Sequence, residues 1–288
     1  MPQLPIVLTH GYLGFGNLGP IQYFNGVVDT LKQAGADQVF AVDVPPKGNL
    51  AERSTALAEQ IRKYVPTGKV HLIAHSMGGL DSRYLISKGN GSELIASLTT
   101  LGSPFRGSFG ADVLRNPLKL RTVGLSSLAK AVVLLGEQGI AQFPHQVMAE
   151  LSFAAEALGS TLGRVDTSDV WTVSSYLRRL FSLDDEALPE LTTDNCLSLF
   201  PDDQSDLKGV PSASYAGLVN PASAALLLRA SAVLLDAVNE PNDGLVSVKS
   251  ASLKDHRGNL PVDHLGLVGW GPTDVSGYFR QIYAGLPA

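Results

Sequence analysis

The chain has 288 residues, 44% of them hydrophobic and 17% charged, with a formal net charge of −5 at pH 7. That balance gives no basic footprint for nucleic acid, and a single cysteine, Cys196, excludes an internal disulfide. No uninterrupted apolar run is long enough to span a bilayer, so the length is available for one large core.

In chain order, Ile6–Thr9 reads as a strand, preceded by Met1-Pro2-Gln3-Leu4-Pro5. That start has neither a basic n-region nor a cleavable apolar segment, as expected for a cytoplasmic protein or for a secreted one with its leader removed. Residues 21–34 read as a helix closed by Gly35, and 39–44 as a strand stopped by Pro45-Pro46. Leu50, Leu57, Ile61 and Val65 recur at a helical period, and Pro66 ends that run. Residues 70–74 form a third strand, 79–88 a helix with Gly89 as its C-cap, and 98–104 a fourth strand. Nearly continuous apolar strands separated by amphipathic helices indicate a mostly parallel sheet with helices on both faces. The alternation then stops. An insertion over 106–211, with apolar helical runs at 125–135 and 143–158, reads as a helical cap or lid within a single domain. The sheet resumes at 214–219, a long apolar helix covers 223–238, an extended piece 260–262 follows, and the last helix spans 274–283.

The run Val70-His71-Leu72-Ile73-Ala74-His75-Ser76-Met77-Gly78-Gly79 carries the chemistry. An apolar strand leads into a serine flanked by small residues, and a helix follows at once, the form of a nucleophile elbow. Ala74 and Gly78 are small where the strand and helix backbones nearly touch. Serine is a weak nucleophile, so Ser76 requires a base and an acid placed later in the chain. Three histidines lie downstream: His145, His256 and His264. His145 falls inside the cap, before any acid loop, and His256 sits in the charged turn Lys254-Asp255-His256-Arg257-Gly258-Asn259. His264 ends a late extended piece before the last helix and is the expected base. In Asn242-Asp243-Gly244, Pro241 and Gly244 fix a tight loop from which Asp243 can aim at a histidine. Asp263 neighbours His264 in extended chain and points the other way, while Asp236 falls on a helix as a surface charge. The oxyanion donors are expected to be the main-chain N–H groups of Met77 and Tyr12, the latter in the glycine-rich loop after the first strand.

These motifs together resemble the bacterial true lipases of the Pseudomonas, Burkholderia and Proteus group. The matching residues are His10-Gly11-Tyr12-Leu13-Gly14-Phe15, His75-Ser76-Met77-Gly78-Gly79, Leu101-Gly102-Ser103-Pro104-Phe105-Arg106-Gly107-Ser108, Asn242-Asp243-Gly244-Leu245-Val246 and His264-Leu265. The resemblance implies an α/β-hydrolase fold lacking the first two strands of the full sheet, with a helical lid. It also implies a Ser76–Asp243–His264 triad that hydrolyses acylglycerols through an acyl-enzyme. A carboxylesterase or polyester depolymerase would use the same triad, and a non-catalytic hydrolase-fold binding module is the reading from another class. Within the cap, Leu125, Leu128, Ala129, Val132, Val133 and Leu135 form an apolar face suited to acyl chains or transient contact with a lipid interface. The family departs at two points. Ala74 stands where the first elbow glycine is usual. The family's Ca²⁺ is held by an aspartate two residues after the histidine and another in the loop after the preceding strand. Here those regions are Gly266 and Val219-Asn220-Pro221-Ala222-Ser223-Ala224, without a carboxylate, so neither calcium nor another cofactor is expected.

Overall fold

Side-chain alternation builds the layers. In a computed structural model describing residues 4–12, 14, 17, 18, 21–116, 119, 186–225 and 228–287, strand β1 is Ile6–Thr9, buried throughout. Ile6 and Leu8 point into one core with helix α1 (Val27–Gln33) and the C-terminal helix Ser276–Ala284. Val7 points into the opposite core with α2 (Leu50–Tyr64) and α3 (Met77–Lys88). Strand β5 (Val70–His75) repeats this split, with Ile73 on the first side and Leu72 and Ala74 on the second. A sheet apolar on both faces needs cover on both, which the helices supply.

After β1 come the short antiparallel pair β2 (Asn17–Leu18) and β3 (Ile21–Gln22), then β4 (Val39–Val42). Beyond β5 lie β6 (Ile95–Leu101), β7 (Ser212–Gly217) and β8 (Asp255–Leu260). The main sheet has the order β4-β1-β5-β6-β7-β8, parallel at every pairing. The chain moves outward from β1 to β4, then returns to the other side of β1 as β5. The strand order therefore reverses between β1 and β5, and in an open parallel sheet the crevice beyond the carboxyl ends at such a reversal is where ligands bind. The loops after these two strands carry Gly11 and Ser76.

Several expected boundaries move for local reasons. The helix expected over 21–34 begins only at Val27, because Gly26 holds φ 70° and residues 21–22 pair as a strand. The helix expected at 79 begins two residues earlier, directly after Ser76. The helix expected over 223–238 is a 3-10 turn at Pro221–Ser223 followed by Arg229–Ala237. The charged stretch around 254–259, expected as a turn, is the edge strand β8. Its first five residues stay exposed or half-exposed, as suits an edge, and this removes the apolar pattern that marks a strand. The cap helices expected at 125–135 and 143–158, and His145, lie outside the described residues; between 106 and 211 the described helices include Phe109–Arg115 and Thr193–Leu199.

Candidate active site

The elbow is built by the abrupt passage from β5 into α3. Ser76 takes φ 54° and ψ −128°, a backbone conformation that costs an L-residue free energy and persists only where its surroundings enforce it. Its N–H donates to Leu101 O at 2.9 Å, anchoring the turn to β6. Met77 opens the helix, so its N–H is among the donors without an intrahelical acceptor, at the positive end of the dipole. A Cβ on Gly78 would lie 2.8 Å from the carbonyl oxygens of both Thr9 and His10. The close approach expected at this position is thus to the end of β1.

Asp243 and His264 meet. His264 Nδ1–H donates to Asp243 Oδ2 at 2.8 Å, and His264 N–H donates to the Asp243 carbonyl at 2.8 Å. The other carboxylate oxygen, Oδ1, accepts from Leu245 N at 3.0 Å and Val246 N at 2.8 Å. Asn242 tightens the same loop by accepting from Gly244 N, and Gly244 takes φ 100°. Asp243 and His264 are 1% and 4% exposed, so water competes little for their bond. With Nδ1 committed to the carboxylate, Nε2 is the basic nitrogen. The pair sits beside the elbow. A Cβ on Gly102, which follows the Leu101 that binds Ser76, would fall 2.9 Å from Asp243 Oδ2 and 3.3 Å from His264 Nδ1.

The loop after β1 approaches Ser76 from the other side. A Cβ on Gly11 would lie 2.6 Å from Ser76 Cβ and 3.1 Å from its Oγ. The peptide joining Gly11 to Tyr12 has its carbonyl held by two donors, His10 Nδ1–H at 2.9 Å and Gly14 N–H at 3.2 Å. In a trans peptide the following N–H points opposite to that carbonyl, so the Tyr12 N–H is turned away from those donors. His10 Nε2 accepts from Val44 N at 3.2 Å. This tautomer needs a neutral ring, and burial, with a smaller push from Arg53, lowers the His10 pKa to about 4.

Four side chains without an assigned role in the sequence reading support this crevice. Arg53 and Asp81 form a wholly buried ion pair between α2 and α3, with Arg53 Nη2 also donating to His10 O at 3.0 Å. Burial raises the Asp81 pKa to about 6 against the pull of Arg53. Tyr23 Oη lies 2.8 Å from His75 Nδ1, and His75 Nε2 lies 3.0 Å from the His264 carbonyl. Neither contact has a short-range motif, since the partners are far apart in sequence.

The remaining candidates lie elsewhere. His256 is on β8, with Nδ1 3.1 Å from Ser214 Oγ and Nε2 2.9 Å from Asn259 Oδ1. Asp263 accepts from Ala225 N at 2.7 Å and Gly266 N at 2.8 Å. Asp236 is exposed.

A six-stranded parallel sheet with a serine elbow, an aspartate–histidine pair and a glycine-rich loop at its carboxyl edge defines an α/β hydrolase of the serine type. No family model matches the chain. It is 30% identical over 279 residues to a triacylglycerol lipase of Vibrio cholerae serotype O1, covering 93% of this chain and 81% of that protein. The chain thus belongs to the bacterial triacylglycerol lipases. A triacylglycerol lipase of Pseudarthrobacter phenanthrenivorans is 37% identical over 134 residues, a match spanning 43% of this chain and only 40% of that relative. The mature lipase BlEst2 of Bacillus licheniformis shares the fold, with a TM-score of 0.65 at 18% identity, over 98% of this chain and 92% of that one. Among the described residues, no helix is long and apolar enough to cross a membrane.

Proposed function

We propose that this protein hydrolyses carboxylic esters of acylglycerols by acyl transfer to Ser76, and that its motifs place it beside the Pseudomonas, Burkholderia and Proteus lipases. The observation that carries the reading is the buried Asp243–His264 hydrogen bond beside the strained serine turn. Ser76 Oγ attacks the ester carbonyl as His264 Nε2 takes its proton, and Asp243 stabilises the resulting imidazolium. The Met77 and Tyr12 amides receive the oxyanion, each worth about 3 kcal/mol of barrier. Collapse breaks the bond to the alcohol, which leaves with the proton from His264. Water then attacks the acyl-serine, again deprotonated by His264, and releases the acid. The apolar cap segment read in the sequence is assigned to the acyl chain.

The residues present do not suit the calcium of related lipases. Gly266 offers no side chain, Asn220 Oδ1 accepts from Ala222 N, and both Asp263 oxygens accept backbone N–H groups. Among the described residues no cluster of three metal-binding side chains occurs. The missing side chain at Gly266 and the committed oxygens of Asn220 and Asp263 are the grounds on which we propose a reaction run by protein groups alone.

A phosphonate monoester carrying p-nitrophenol labels the wild type with release of the phenol, and Ser76→Ala removes the label. Activity on p-nitrophenyl esters is expected to extend from butyrate to laurate, with hydrolysis of emulsified triolein. Activity confined to acetate makes the protein a carboxylesterase instead. Excess chelator leaves both the rate and the melting temperature unchanged; a drop in either, restored by Ca²⁺, would falsify the metal-free assignment.

A further inference from the structure

Next to the nucleophile lies a histidine that acyl transfer does not use. His75 is wholly buried at the end of β5, and its ring sits 4.5 Å from that of His264, centroid to centroid. Its two nitrogens bridge two parts of the site. Nε2 is 3.0 Å from the His264 carbonyl, which can only accept, so Nε2 carries the hydrogen. Burial, reinforced by the charge of His264, holds the His75 pKa well below the usual histidine value. The ring is therefore neutral, and Nδ1 is an acceptor. Tyr23 Oη, 2.8 Å away, donates to Nδ1 and in turn accepts from Gly11 N–H at 3.3 Å. The hydrogen bonds run one way: Gly11 N–H to Tyr23, Tyr23 O–H to His75, His75 N–H to the His264 carbonyl.

Main-chain and side-chain bonds hold the Tyr23 segment against the loop after His264. Asn25 N donates to Val268 O, Asn25 Nδ2 to Gly269 O and Trp270 Nε1 to Tyr23 O, each at 2.9 Å. The chain of bonds thus connects the turn that precedes the Tyr12 amide with the main chain of the base. It passes through the residue adjacent to Ser76, and the Gly11 N–H at one end and the His264 carbonyl at the other set its direction. We propose that Tyr23 and His75 are positioning residues that hold His264 and the Gly11 turn in register with Ser76, an inference that rests on the triad reading above. Neither reaches the reacting atoms. Their effect is to keep three separately held parts within the sub-ångström tolerance that acyl transfer demands.

The test compares Tyr23→Phe, His75→Gln and His75→Leu with the wild type, using p-nitrophenyl butyrate turnover and the rate of labelling by the phosphonate. Tyr23→Phe removes one oxygen. It lowers kcat and the labelling rate by about tenfold, with KM within about twofold. His75→Leu lowers kcat by roughly a hundredfold, whereas His75→Gln keeps an N–H for the His264 carbonyl and regains most of that loss. Where His75→Leu does not fold, as judged by circular dichroism, Tyr23→Phe and His75→Gln carry the comparison. Unchanged kcat in Tyr23→Phe, a loss confined to KM, or equal activity of folded Gln and Leu variants overturns the proposal. A wild type that the phosphonate fails to label overturns the triad reading instead, so the two failures are distinguishable.

Discussion

In the proposed triad the serine hydroxyl is activated only when the imidazole presents it a lone pair, and Asp243 decides which nitrogen that is. One of its oxygens takes the His264 Nδ1 proton, and the other is held by the Leu245 and Val246 amides, so the carboxylate cannot swing away. Asp243→Asn preserves shape and volume. With Oδ1 still bound to those amides, the new NH₂ group would face Nδ1, forcing the hydrogen onto Nε2, where it meets the serine with no base available. We expect kcat on p-nitrophenyl butyrate to fall on the order of 10³- to 10⁴-fold while circular dichroism stays as in the wild type. Retention of a tenth of the activity would show that another carboxylate orients the base. Asp263 is not placed to substitute, because its two oxygens bind Ala225 N and Gly266 N.

Elements hold this geometry through contacts of uneven visibility in the sequence. The strand-to-helix step at Ser76 was legible, since an apolar strand running into small residues leaves few alternatives, and β1, β5 and α2 fall close to their expected ranges. Strand β8 was not, because an exposed edge of Asp255, His256 and Arg257 has no apolar period and takes its register from β7. The Arg53–Asp81 pair was equally hidden. Arg53 shares the face of Leu50 and Leu57, three residues after the one and four before the other, but nothing local names Asp81 as its partner, and neither side chain is exposed. Its guanidinium binds Asp81 through Nε and Nη2, reaches the Pro45 carbonyl, and fixes His10 O. Removing one partner strands a buried charge, which costs about 3–5 kcal/mol, whereas exchanging both for apolar residues of similar size removes the charge itself. We expect Asp81→Leu to be strongly destabilised in urea, and adding Arg53→Met to recover much of that loss. A double variant as unstable as the sum of the two single ones would mean that the bonds to the Pro45 and His10 carbonyls outweigh the pair.

On the scale of the whole molecule, holding histidines neutral in the interior ties folding to pH. Burial lowers the His10 pKa from 6.5 to about 4, and burial together with the charge of His264 lowers that of His75 well below 6.5. Below about pH 6.5 the unfolded chain therefore binds protons at these sites that the folded chain refuses. Their contribution is complete above that pH and is lost as pH falls toward the folded values, by about 1.4 kcal/mol per unit for each histidine. Asp81 acts in the opposite sense. Its pKa is raised by burial to about 6, so below that value the folded state takes up a proton first and gains stability. The carboxyl offsets roughly one of these two histidines, leaving a net loss of about 1.4 kcal/mol per unit below pH 6, to which His71, its pKa also lowered by burial, adds in the same direction. Urea unfolding at a series of pH values should show stability level above about pH 7.5 and falling with increasing slope as the pH drops through 6. His75→Gln cannot take up a proton and should reduce the slope below pH 6 by about 1.4 kcal/mol per unit. A stability curve level from neutral pH down to about 5 would mean that the buried histidines bind protons without unfolding, and would remove the neutral His75 on which the bond from Tyr23 depends.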